Sequence, residues 1–379
     1  MKRSTERILT THTGSLPRPD DLAELMYDVM DGKPVDQAAL DARVRTAVAE
    51  VVQQQVGAGI DVPSDGEMSK AGFANYVVQR LTGFGGPPRQ FAARDVQEYP
   101  EVRLAAGGSR AAGRTPGCNA PITYRDPTAV QKDIENFRAA LQGVTVEEAF
   151  LPAASPGCVV QITTNTHYPS RKDYLYALAD AMKQEYQAIV DAGFLVQVDC
   201  PDFAMGRHVE FADASTEEYR KNLALHVEAL NHGLAGIPED RIRVHLCWGN
   251  YVGTHHHDVA LKDIVDVVLG ARGQGLSVEA SNPRHAHEWR VWEQVKLPDG
   301  KVLIPGVIDT STNYVEHPEL VAQRIVRFAE LVGRGNVIAG TDCGFGTFAG
   351  FGNVQPRVVY LKLATLAEGA RLASRQLWG

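Results

Sequence analysis

The sequence predicts an α/β protein, a parallel (β/α)8 (TIM) barrel, and three observations carry that expectation. Short apolar runs rich in β-branched residues alternate with longer segments of helical period. The alternation recurs through the chain at a spacing that suits strand–helix units. Finally, Asp199, His245, Glu279, Asp309 and Asp342 all fall at or just past the carboxyl end of an expected strand, the rim where such barrels do their chemistry. A doubly wound open sheet is the competing architecture. No Gly-x-Gly-x-x-Gly follows the first strand, which weighs against a dinucleotide site there.

The expected strands, in order, are Ile8–Thr10, Ile60–Pro63, Val159–Ile162, Phe194–Val198, Arg243–His245, Ser277–Glu279, Val302–Val307 and Val337–Gly340. Helical period places helices near 36–58, 172–192, 216–234, 258–271, 317–333 and 355–374. From about residue 84 to 143 the rhythm breaks. That stretch holds Gly85-Gly86-Pro87-Pro88 and Gly107-Gly108, and few long apolar runs. It reads as a β-hairpin flap inserted between the second and third strands of one domain spanning 1–379.

Composition narrows the function. Of 379 residues, 44% are hydrophobic and 22% charged, enough to build a large core. A formal charge of −8 without a basic stretch argues against nucleic-acid or anionic-membrane partners. No apolar run reaches the roughly 18 residues of a membrane span, and the charged start has no apolar segment behind it. Five cysteines at wide spacing do not form a disulfide framework, so a reducing cytoplasm is expected. A homo-oligomer is compatible with all of this.

His245-Leu246-Cys247 carries the most chemical information. Two ligands two residues apart on an extended segment face the same way. Alone, the pair could be a backbone-bonded histidine beside a packed cysteine. Glu279 ends the next expected strand, where an unpartnered carboxylate is costly, and Cys343 ends the last in a Gly-rich turn. One rim would then collect N, S, O and S donors, a tetrahedral Zn2+ shell that could activate a small thiol. His255-His256-His257 reads instead as a polar rim loop, because three adjacent side chains do not readily converge. Cys118 and Cys158 lack ligand spacing and read as packing.

These residues resemble the catalytic domain of the cobalamin-independent methionine synthase family. His245-x-Cys247, Glu279 and Cys343 are similar to its zinc ligands, and the resemblance runs from Thr10 to about Gly346. Thr10-Thr11-His12-Thr13-Gly14-Ser15-Leu16-Pro17-Arg18-Pro19 is similar to the family's opening motif, which implies that Ser15 holds an amino-acid carboxylate. Asp65-Gly66-Glu67 with Asn75-Tyr76 is similar to its second-strand motif, which implies Glu67 as a partner of the substrate ammonium. Val198-Asp199-Cys200-Pro201 matches in the aspartate and proline, so Asp199 joins the substrate group. The resemblance implies that the glutamate ligand is the exchangeable one, and that the partners are a small thiol and a methyl or alkyl donor.

The departures bear on the donor. The family places a histidine two residues after the aspartate that here is Asp309, as acid for the pterin leaving group; this chain has Ser311. With Ser311 in the histidine's place, the remaining acid candidates are His12, Tyr314, His167 and Asp309. The short epoxyalkane:coenzyme M transferases are similar in length and His-x-Cys…Cys pattern, so thiol alkylation is the alternative to methyl transfer. A sulfonate thiol would call for Arg18 or Lys70 as anchor, whereas Glu67 and Asp199 suit an amino acid. Outside this chemistry stand a barrel with a structural zinc and a decarboxylase-like lyase.

Overall fold

A computed structural model of the chain describes residues 1–89, 93–102, 110 and 113–379. Seven strands form one curled parallel sheet: β1 (Leu9–Thr10), β4 (Phe150–Ala154), β5 (Leu195–Cys200), β6 (Ile242–Leu246), β7 (Gly275–Val278), β8 (Val302–Ile308) and β9 (Ile338–Thr341). Their order is β1-β9-β8-β7-β6-β5-β4. Every one of these strands is buried along its length, as continuous apolar runs covered on both faces should be. The expected second strand, Ile60–Pro63, is not a regular strand. It still reaches both ends of the sheet, through parallel bridges from Val62 to Thr11 and from Ser64 to Phe150. The fold is thus α/β with helices around a curled parallel sheet, consistent with a TIM-like barrel.

Long helices flank the sheet at Gln37–Gly57, Arg171–Asp191, Thr216–Gly233, Pro318–Val332 and Pro356–Trp378, near their expected places. Local caps set their starts. Asp36, Ser170 and Ser215 each accept from backbone N–H groups of the first turn, and Pro318 and Pro356 occupy first-turn positions that need no N–H donor.

Three expectations need correction. Val159–Ile162 is helical, part of Pro156–Ile162, and the strand lies upstream at Phe150–Ala154. Ser155 caps that helix by accepting from Cys158 N at 2.9 Å, with Pro156 behind it; this cap overrides the β preference of Val159 and Val160. The expected helix over 258–271 shrinks to a 3-10 turn at Leu261–Asp263 and a single turn at Val265–Val268. Side chains take its backbone groups: Leu261 N donates to Glu288 Oε1 at 2.6 Å, and Trp248 Nε1 donates to Val259 O at 2.7 Å. A helix at Asp20–Met30, within the first expected loop, was not foreseen.

The stretch expected to be a flap is described only in part. Its described part contains an antiparallel pair, β2 (Phe84–Gly86) with β3 (Gly117–Cys118), and a short helix at Arg94–Glu98. Residues 90–92, 103–109 and 111–112, including Gly107-Gly108, lie outside the described residues. The stretch also holds the helix Thr128–Ala140, whose Val130, Ile134 and Phe137 are buried as it packs beside Gln37–Gly57 and Arg171–Asp191. A buried charge cluster fixes it there. Arg80 pairs with Asp133 and, at 3.0 Å, with Glu185, which also accepts from Tyr76 and Tyr124 hydroxyls at 2.6 and 2.8 Å. Among the described residues no helix is long and apolar enough to cross a membrane.

Candidate active site

Parallel pairing brings the key side chains to one end of the sheet. In the β5–β6 register Asp199 lies opposite His245. Cys247 follows the last residue of β6, Glu279 the last residue of β7, and Cys343 stands two residues past β9. All five lie at or just past carboxyl strand ends, where loops can converge.

His245, Cys247 and Cys343 offer ligand atoms within 4.8 Å of one another. The two sulfurs stand 3.5 Å apart, close to the roughly 3.8 Å separating two thiolates bonded to one tetrahedral ion. Neither ring nitrogen of buried His245 has a hydrogen-bond partner by geometry among the described residues. An imidazole buried without partners is unusual, and a metal ligand is one way to satisfy it. The charges agree with that reading. A hydrogen bond with Cys247 is the main cause that pulls the Cys343 thiol down to about 6, aided by His245, while Cys247 is pushed up by its bond to Cys343 and by burial. Burial works against a charged His245, yet the nearby Cys343 sulfur, Asp199 and Glu279 raise it overall. The trio therefore fits a metal ion, with a thiolate ready at Cys343.

Glu279 stands beside this trio rather than within it. Its Oε1 accepts from Trp248 N at 3.0 Å; its Oε2 accepts from Asn282 Nδ2 and Arg284 Nη2, each at 2.8 Å. Arg284, Asn282 and Asp342 were not foreseen as part of the site. Asp342 organises the loop after Glu279 by accepting from the backbone N–H groups of Ala280, Ser281 and Asn282 and from the side chains of Ser281 and Asn282. The sequence signal was Asp342 itself, a carboxylate beside Cys343 at a strand end.

One pocket joins the metal trio to the expected substrate group: Ser15, Glu67, Asp199, His245, Cys247 and Cys343 all line it. Phe348 and Phe351 form an apolar part of its wall, while Phe345 is buried away from it. The Ser15 hydroxyl has no hydrogen-bond partner among the described residues, whereas the Ser15 carbonyl accepts from Phe345 N at 2.9 Å. Glu67, in the left-handed region at φ 58°, accepts from Arg18 Nη2 at 3.2 Å. Asp199 accepts from Gln197 Nε2 at 2.8 Å, and burial lifts its carboxyl to about 7 against the opposing pull of His245.

The expected acids do not gather there. His12 is buried at the sheet interior, its Nε2–H given to Gln55 Oε1 at 2.6 Å and its Nδ1 accepting from Gly14 N at 3.1 Å. Burial pulls it down to about 4, so it is neutral at pH 7. The Tyr314 side chain is 84% exposed, and His167 is exposed as well. Asp309 and Ser311 are held together, Ser311 donating its N–H and hydroxyl to Asp309 Oδ1 at 2.9 and 2.6 Å. Their loop reaches a pocket residue through Thr310, whose hydroxyl donates to Asn250 Oδ1 at 3.4 Å.

Both the sequence and the fold match known proteins. The family model described as "Cobalamin-independent synthase, Catalytic domain" matches residues 8–355. A methionine synthase of Thermococcus kodakarensis is 25% identical over 371 residues, covering 97% of this chain and 94% of its own length. One from Saccharolobus solfataricus is likewise 25% identical, over 97% of this chain and 95% of its own. Among solved structures, the B12-independent methionine synthase of Shewanella sp. W3-18-1, in complex with selenomethionine, superposes with a TM-score of 0.75 at 20% identity. It covers 98% of this chain and 99% of its own, and so shares the fold. A family match that spans the sheet from β1 to the loop beyond Cys343 leaves one conclusion: the chain belongs to the family of cobalamin-independent synthase catalytic domains.

Proposed function

We propose that this chain is a methyltransferase that moves a methyl group onto the thiol of homocysteine, and that His245, Cys247, Cys343 and Glu279 hold a zinc ion. The carrying observation is that the metal trio and Ser15, Glu67 and Asp199 share one pocket. Bound by those residues, zinc would supply a Lewis acid that lowers the pKa of a thiol, so that its proton is released to solvent while its sulfur stays nucleophilic.

The chain's own residues do the positioning. The free Ser15 hydroxyl is available to the acceptor's carboxylate. Glu67 and Asp199 are the carboxylates offered to its ammonium, and Arg18 pairs with Glu67 at 3.2 Å. Glu279, bonded to Arg284 and Asn282, has a resting place outside the trio, which suits a ligand that yields its position to an incoming sulfur. Transfer forms the S–CH3 bond and breaks the bond from methyl to the donor heteroatom, whose electron pair then takes a proton. The Asp309–Ser311 pair, whose loop bonds to pocket-lining Asn250 through Thr310, is the group proposed to serve that leaving atom. Orientation within the pocket supplies much of the rate.

Two observations favour an amino-acid acceptor over a sulfonate thiol. Arg18 is engaged by Glu67 and by the carbonyls of Lys70 and Gly346, and Lys70 donates to Pro152 O. Neither cation is free to anchor a sulfonate. Residues 60–64 are read as the second of eight staves, and the insertion as a flap, because Arg89, Ala93, Val96, Gly113 and Thr115 line the pocket.

X-ray absorption at the zinc edge tests the reading, paired with product analysis. With homocysteine the metal shell gains one sulfur, and adding methyltetrahydrofolate yields methionine. A shell unchanged by homocysteine and altered by coenzyme M would overturn it in favour of thiol alkylation.

A further inference from the structure

A second cluster of metal-ligating side chains lies outside the pocket. Glu98 ends the helix Arg94–Glu98, and His256 and His257 lie in the loop after β6. Their ligand atoms fall within 4.8 Å of one another. His256 Nε2 and His257 Nε2 are each 2.9 Å from Glu98 Oε2, and the two imidazoles are 4.0 Å apart between centroids. Tetrahedral N and O donors on one ion stand roughly 3.3 Å apart, so an ion would fit after shifts of a few tenths of an ångström.

The backbone explains why adjacent histidines converge here after all. His255 adopts a left-handed φ of 53°, uncommon for a residue with a Cβ. That turn sends its ring inward, stacked on Tyr251 at 4.2 Å and bonded to Asp258 at 3.2 Å. Its two neighbours are left on the outer side, facing Glu98. Buried Asp95, one helical turn before Glu98, already docks the helix on this loop, accepting from Tyr251 Oη and His255 N, both at 2.8 Å. The donors are therefore held in place before any ion arrives, which reduces the ordering cost of binding. Arg94 Nε donates to Glu98 Oε1 at 3.1 Å, an oxygen His257 Nε2 also approaches at 3.0 Å, while Oε2 lies between the two imidazoles. All three ligands are reachable by solvent, with side-chain exposures of 37%, 42% and 28%, so water can complete a shell.

We propose that Glu98, His256 and His257 form a second divalent-metal site, suited to zinc or another late first-row ion, that fastens the helix Arg94–Glu98 to the loop after β6. Two imidazoles and one carboxylate are a donor set for such ions. The consequence reaches the pocket, because Ala93 and Val96 flank one side of this clasp and Tyr251 and Val252 the other, and all four line the pocket wall. An ion at the clasp ties that wall together.

Titrating the full chain with Zn2+ by calorimetry, with metal content measured in parallel, tests this independently of the methyl-transfer reading. Wild type takes up two equivalents. The double variant His256→Ala/His257→Ala takes up one, and its thermal midpoint no longer rises on adding the second equivalent. Cys247→Ser/Cys343→Ser keeps the clasp equivalent and loses the other. Because the two histidines are surface residues, the double variant should fold normally, which circular dichroism checks. A folded His256→Ala/His257→Ala variant that takes up as many equivalents as wild type, or a folded Cys247→Ser/Cys343→Ser variant that takes up none, overturns the proposal.

Discussion

Asp199 sits where strand register and burial act on one side chain. Opposite His245 and short of solvent, its carboxyl is lifted to about 7. A carboxyl must be ionised to hold an ammonium, and below about pH 7 this one is mostly protonated. The acceptor's KM should therefore fall as pH rises from about 6 to 8. Asp199→Asn should remove that dependence and raise KM by about 10- to 100-fold at pH 8, the loss of a hydrogen bond to a charged group. Steady-state kinetics against homocysteine across that range checks both; an unchanged pH profile in the variant would rule Asp199 out as the ammonium partner. The same scale shows why Asp199 could be singled out from sequence and Arg284 could not. A carboxylate at a strand end is visible in the pattern of apolar runs, whereas Arg284 matters only because the loop after β7 folds back to put it 2.8 Å from Glu279.

At the level of elements, the close approach of β8 and β9 governs where Cys343 stands. Gly306 pairs with Gly340 in that register, and a Cβ at 306 would meet the backbone N of Asp342 at 2.6 Å. Backbone cannot swing aside as a side-chain end can. Gly306→Ala should cost about 1–3 kcal/mol in urea unfolding. It should also lower metal content, because Asp342 precedes Cys343 and holds the loop of residues 280–282. A variant with wild-type stability and metal content would show that the strands can part without cost. Elements also mark where reading from sequence failed. Phe150–Ala154 carries Pro152 and two alanines, poor β-formers, and is a strand because β5 pairs along it. Val159–Ile162 has β-branched residues and is a helix because Ser155 caps it. In each case a partner absent from the local pattern decided the outcome.

For the whole molecule, the question is whether the metal trio holds the fold or only the chemistry. The main core runs through six of the seven strands of the parallel sheet and every long helix, Leu9 of β1 packing in a small separate cluster, and the trio sits at its rim. Stripping the metal with a chelator should therefore leave far-ultraviolet circular dichroism intact and shift the thermal midpoint by only a few degrees. Activity should fall at least about 30-fold at pH 7, since a free thiol with pKa near 8.5 is only about 3% ionised there. Cys343→Ser should do the same without chelator. Unfolding on chelation would instead mark a structural metal.

Six of the eight expected strands, five long helices, and the placing of His245, Cys247 and Cys343 at strand ends were legible in the sequence. Apolar periodicity sets which face each segment buries, and a parallel α/β sheet gathers the residues that follow its strands at one end. Tertiary structure alone decided that Glu279 rests against Arg284, that His12 is sealed beneath the pocket, that Tyr314 faces solvent, and that His256 and His257 close on Glu98. Each of those outcomes depends on where a loop returns in space. Loop paths follow from hydrogen bonds between residues far apart in the chain, and no local period records them.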